Sequence, residues 1–182
     1  MSEFIFYINL FLHYVIGGFV EYSILLPQKR IWPPPSKNSW QYRWYWNLFY
    51  IGVLLDVVLV FLEYDSWIIS QKIRYFIGVP LILLGGYIVT KAIFTLGLKN
   101  TYGLKNGFVE EGLYKFTRNP QYLGDIILIL GLILFLNSLN LTVLLTIAMV
   151  IFILMPFSEE IWLEETYKQT YLDYKSKTSR FI

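Results

Sequence analysis

Two short stretches of the sequence hold side chains whose types and spacing suit chemistry. One contains Arg118, Asn119, Pro120, Gln121 and Tyr122, and the other contains Glu159 and Glu160. Asparagine is a favoured N-cap and proline is favoured at the first helical position, so Asn119 and Pro120 mark a helix start. The free N–H groups of such a start can hold an anion such as a carboxylate, although helix punctuation alone also explains the dipeptide. Glu159 and Glu160 follow Pro156 and open a run in which Leu163, Tyr167, Tyr171 and Tyr174 recur at helical spacing. Their charge either complements the dipole of that helix or serves a ligand. Glu164 and Lys168 are spaced to pair on another face. The spacing predicts an amphipathic helix over 158–174, with a kink or break at Pro156.

Other chemistries are excluded by what the chain lacks. With no cysteine and the single histidine His13, it has no disulfide framework, no thiolate nucleophile and no multi-histidine metal cluster, so no metal site is expected. A formal charge of +2, with the basic residues spread along the chain, does not make a nucleic-acid footprint.

The elements that must position these residues are helices in a membrane. The 182 residues are 56% hydrophobic and 15% charged, whereas soluble domains have about 45–50% and about 25%. A spanning helix needs roughly 20 apolar residues, and five stretches come near that length: 4–26, 46–62, 75–98, 122–136 and 139–157. The fourth is short and is joined to the fifth only by Asn137 and Ser138, which predicts a tight helical hairpin. The fold class is therefore an all-α integral membrane protein of about five transmembrane helices, with the amphipathic helix after them. Of the 15 basic residues, all but Lys72 and Arg74 fall on one side of this arrangement. By the positive-inside rule the N-terminus is outside and the C-terminus, with the amphipathic helix, is cytoplasmic. The first span has no basic n-region ahead of it and no cleavage site after it, so it reads as a retained helix.

Several polar residues and one aromatic loop fall within this frame. His13 and Asp56 lie near mid-span, where an inter-helix hydrogen bond is expected. Glu21 and Asp125 lie toward the cytoplasmic ends of their spans. The connection 27–45 carries Trp32, Pro33, Pro34, Pro35, Trp40, Tyr42, Trp44 and Tyr45, a composition that suits an interfacial aromatic belt.

The run from Gly112 through Tyr114, Arg118, Asn119, Pro120 and Tyr122 to Gly124, then a two-span hairpin, Glu159-Glu160 and a tyrosine-rich helix ending at Arg180-Phe181, resembles a known superfamily. This is the membrane methyltransferase group of isoprenylcysteine carboxyl methyltransferases and phosphatidylethanolamine N-methyltransferases. Its signature reads approximately Gly-x-Tyr-x-x-x-Arg-His-Pro-x-Tyr-x-Gly, followed at a distance by Glu-Glu. The resemblance implies an S-adenosylmethionine-dependent methyltransferase acting on a lipophilic, membrane-borne acceptor, either a lipid amine or a prenylcysteine carboxylate. It covers 96–182 as the cofactor-binding part, with 1–95 as N-terminal spans of the same single membrane domain. The cofactor contacts it implies are Asn106, Gly107, Phe108, Val109, Tyr114, Asn119, Pro120, Gln121, Tyr122, Glu159 and Glu160, with Glu159 and Arg118 in catalytic positions.

Two departures from the signature bear on the acceptor. Asn119 stands where the triplet usually has histidine, as in the phosphatidylethanolamine branch. Met155 stands four residues before the first glutamate, where the isoprenylcysteine enzymes carry a substrate-binding arginine. Arg180 or Arg118 could replace that arginine only where the fold brings it near. A sterol-reductase-like oxidoreductase, whose similar run has a glutamate in the place of Asp125, and a non-enzymatic membrane scaffold are the alternatives.

Overall fold

A computed structural model describes residues 1–181, and no strand forms among them. Helix α1 spans Ser2–Leu25, α2 Trp40–Glu63 and α3 Gln71–Leu96, the last with a π-helical turn at Arg74–Gly78. Helix α4 spans Pro120–Leu136, α5 Leu139–Tyr167 and α6 Gln169–Lys177. Four of these, α1, α2, α3 and α5, are long and apolar enough to cross a membrane. The fifth expected span, α4, is a shorter apolar helix of 17 residues, about 25 Å long at 1.5 Å per residue.

Helix α1 buries Asn9, His13, Ile16, Val20 and Ser23, a stripe spaced by threes and fours that packs on α2 and α5. Within that stripe Asn9 Nδ2 donates to Asp56 Oδ1 at 2.7 Å, and His13 Nε2 lies 3.8 Å from Asp56 Oδ2. The two mid-span polar residues thus tie α1 to α2, as their positions suggested. One core gathers Ile16, Val20, Trp32, Tyr45, Tyr122, Ile151 and Met155; another gathers Leu59, Ile129, Leu136, Leu141, Leu144 and Leu145.

Helices α3 and α4 pack along most of their length, and glycines permit the approach. A Cβ on Gly131 would lie 2.7 Å from the Ile82 nitrogen, and one on Gly85 would lie 2.7 Å from the Gly124 carbonyl oxygen. Both obstacles are backbone, which cannot rotate aside, so small residues set this interface. At the far end Asn137, in the left-handed region at φ 52°, and Ser138 turn α4 into α5. Ser138 caps α5 by accepting from the Leu141 N–H, and both turn residues are buried. Asn137 also donates to Asp65 Oδ1 and accepts from the Ile69 N–H, which joins the α2–α3 connection to the hairpin.

Three local expectations change. Pro156 does not break the chain: α5 runs unbroken through it to Tyr167. The turn beyond the proline is held from outside, because the Ser158 hydroxyl donates to the Trp32 carbonyl oxygen and Glu159 accepts from the Trp32 indole. The interruption falls instead at Lys168, whose φ of 48° lets α6 fold back. As a result the run expected as one helix over 158–174 is divided between α5 and α6, and Glu164 pairs with Lys175 rather than with Lys168. Finally, the aromatic loop is not a uniform surface belt. Trp40 and Trp44 are exposed, but Ile31, Trp32, Pro33, Pro34 and Tyr45 are buried, with the N–H groups of Ile31 and Trp32 both donating to Ser23 Oγ.

Candidate functional site

The start of α4 faces the last turns of α5 across a cavity. α6 and the segment 96–118 complete its walls. Asn119 is the N-cap of α4 by position, yet its side chain does not cap the helix; its Nδ2 donates to the Arg180 carbonyl oxygen at 3.1 Å. The N–H groups of Gln121 and Tyr122, both cavity-lining residues, are therefore left without an intrahelical acceptor or a capping side chain.

Glu159 and Glu160, neighbours about 100° apart around α5, do opposite things. Glu159 lines the cavity, and its Oε1 accepts from Trp32 Nε1 at 2.9 Å and from the Tyr122 hydroxyl. Its Oε2 has no partner among the described residues. Glu160 is buried away from the cavity and joins two arginines: Arg118 Nη2 donates to it at 2.9 Å, and Arg180 donates through Nε and Nη2, each at 2.9 Å. The Arg180 guanidinium also lies 3.9 Å from the centroid of the Phe157 ring.

Arg118 does line the cavity. Its Nη1 donates to the carbonyl oxygens of Lys175 and Thr178, while its Nε is buried without a partner. The hydroxyls of Tyr167 and Tyr171, which also line the cavity, are likewise buried and unpartnered. Three unsatisfied polar atoms around one cavity mark a place for a polar ligand, because orphaned buried groups are rare in a finished core. Burial pushes the hydroxyls of Tyr114 and Tyr171 up, and that of Tyr174 up to about 12, so all three stay neutral near pH 7. Tyr174 uses its proton to donate to the Tyr114 carbonyl oxygen at 2.6 Å, which fixes α6 against the turn Gly112–Lys115.

Of the residues singled out from the sequence, Gly107, Phe108, Val109, Tyr114, Arg118, Asn119, Gln121, Tyr122 and Glu159 line this cavity together. Asn106 is exposed beside it, Pro120 is buried at the helix start, and Glu160 holds Arg118 from behind. Trp162, Tyr167, Tyr171 and Tyr174 were not among them, although the helical spacing of the tyrosines was the signal that could have included them. Trp32 carried no such signal, since its role depends on a contact 127 positions away.

The family model described as phospholipid methyltransferase matches residues 73–170, more than half of the chain and the part that includes α4 and α5. Protein-S-isoprenylcysteine O-methyltransferase of Saccharomyces cerevisiae is 30% identical over 129 residues, which cover 64% of this chain and 52% of that protein. The chain thus spans about half the length of this curated relative. No solved structure matches it.

Proposed function

The chain belongs to the phospholipid methyltransferase family, and from that premise we propose that it is an integral membrane methyltransferase using S-adenosylmethionine to methylate a lipophilic, membrane-borne acceptor. The observation that carries this reading is the convergence of the uncapped start of α4, Glu159 and the unpartnered Arg118 Nε, Tyr167 and Tyr171 hydroxyls on one cavity. These donors and acceptors fit the polar parts of S-adenosylmethionine. Arg118 and the Gln121 and Tyr122 N–H groups suit its carboxylate. Glu159 Oε2 and the tyrosine hydroxyls suit its ammonium and ribose hydroxyls, and Phe108, Tyr114 and Trp162 offer aromatic faces to the base and the sulfonium.

When bound, this cofactor supplies a methyl group already activated by the sulfonium. What remains for the protein is alignment and exclusion of water, an effect that can supply about 7–11 kcal/mol. Glu159, fixed by Trp32 and Tyr122, orients the ligand from α5. Arg118, fixed by Glu160 and by the Lys175 and Thr178 carbonyls at the end of α6, orients it from the opposite wall. Residues 1–95 and 96–182 act as one membrane domain, because the loop after α1 supplies Trp32 to the site. The cofactor side of the molecule faces the cytoplasm, with α4 as the fifth, shorter span and the N-terminus outside. This family membership favours the methyltransferase over the reductase-like and scaffold alternatives.

The test is transfer of a labelled methyl group from S-adenosylmethionine to a total lipid extract by the purified protein in lipid nanodiscs. Label is expected in one lipid class. Absence of both labelled lipid and S-adenosylmethionine binding would overturn the proposal.

A further inference from the structure

Tyr122, Gln121 and Thr101 are shared between the cavity described above and a second one, which extends between α2 and α3. These two helices make little contact with each other, so the space between them is left to side chains. Its walls are strongly aromatic, formed by Trp32, Tyr45, Trp46, Phe49, Tyr50 and Tyr102, with Tyr50 and Leu98 exposed at the rim. Among the residues lining it, only Asp125 carries a formal charge. That carboxylate sits one turn into α4, is largely withdrawn from solvent, and has no hydrogen-bond or ion-pair partner among the described residues. Met155 also lines this cavity and takes the Tyr45 hydroxyl on its sulfur at 3.6 Å, so no cation stands there to receive an anionic acceptor. A second orphan, the buried Trp46 Nε1, adds a hydrogen-bond donor to the same walls.

We propose that this second cavity is the acceptor subsite and that Asp125 is its specificity-determining residue, receiving the ammonium of a lipophilic amine and taking up one of its protons, so that the neutral nitrogen is the nucleophile that accepts the methyl and the thioether of the methyl donor is the leaving group. Aromatic faces attract a cation through their quadrupoles, and a lone carboxylate among them completes a site that favours an ammonium group over a carboxylate. The Trp46 indole N–H suits an oxygen atom carried near that nitrogen. The alkyl part of such an acceptor reaches the cavity between α2 and α3. The inference rests on the first cavity being the methyl-donor site, since it places the acceptor against the shared wall of Tyr122, Gln121 and Thr101.

The test uses the full chain in nanodiscs of uncharged lipid, with dodecylamine and dodecanol as probes and empty nanodiscs as the blank. Calorimetry of the wild type is expected to show dodecylamine bound at least tenfold more tightly than dodecanol. Asp125→Asn should remove that preference, Asp125→Glu should retain part of it, and S-adenosylmethionine affinity should stay within twofold in both variants. A wild type that does not discriminate the two probes, or an Asp125→Asn variant that still does, overturns the inference. Loss of S-adenosylmethionine binding in the wild type, with amine preference intact, would instead count against the methyl-donor reading of the first cavity.

Discussion

The Trp32 indole donates to the Glu159 carboxylate at 2.9 Å, although the two residues are 127 positions apart. The same indole stacks on Tyr45 with ring centroids 4.4 Å apart, and its backbone carbonyl takes the Ser158 hydroxyl. The loop after α1 therefore seals the end of α5, and it aims a carboxylate that a mobile surface residue would leave unfixed.

Glu159→Ala should weaken S-adenosylmethionine binding roughly ten- to a hundredfold, because hydrogen bonds to a buried charged group contribute about 1.5–3 kcal/mol. Glu164→Ala, which removes only a half-exposed pair with Lys175, should change it less than twofold. Titration calorimetry of the two variants checks this. Equal losses would show that Glu159 makes no specific contact with the ligand.

The α3–α4 interface makes a separate prediction. Gly131→Ala drives a methyl into the backbone of Ile82 and Gly78 and should cost about 1–3 kcal/mol, the usual range for overpacking. Gly86→Ala on the same helix pair meets nothing within 4 Å and should be neutral or slightly stabilising. Thermal unfolding in a fixed detergent distinguishes them.

Asp65 predicts an acid-side dependence. Hydrogen bonds from Arg74 and Asn137 hold its carboxyl below the ordinary aspartate value. A depressed folded-state value means that its stabilisation is complete above the unfolded-state pKa, near 4, and is lost as pH falls through the folded-state value. Melting temperature measured from pH 6 to pH 2 should fall less steeply for Asp65→Asn than for the wild type, with the two curves converging at the acid end.

Orientation can be read with single cysteines in this cysteine-free chain. Ser138 is buried against Glu63, so the exposed Ser66 is the better reporter for that end. A cysteine at Ser36 or Ser176 should react with an impermeant maleimide only from the cytoplasmic side, and one at Ser66 only from outside. The reverse pattern would invert the proposed topology.

The parts of this site that could be read from the sequence were those with local signals. Asn119-Pro120 starts a helix where its cap and first-position preferences said it would, and the tyrosines at helical spacing turn toward one cavity. Pro156 shows the limit of such signals: its effect on α5 is decided by Trp32 and Ser158, which are distant in sequence. Glu160 shows another, since nothing in the acidic pair says which member faces the cavity and which faces Arg118 and Arg180. That division follows from the 100° step around α5 and from where α6 returns. Lys168 leaves the helix and brings Lys175 to Glu164, an outcome that a simple four-residue spacing rule could not supply.

The seal made by Trp32 also sets an order of assembly. During synthesis α1, the aromatic loop and α2 leave the ribosome well before Ser158 and Glu159 exist, so Trp32 waits without the partners that finally hold it. Contacts of such long sequence separation form late, because a large loop must close before they contribute. The first cavity, walled in part by Glu159, Trp162 and Leu163 of α5, is therefore complete only after the last spanning helix has been made.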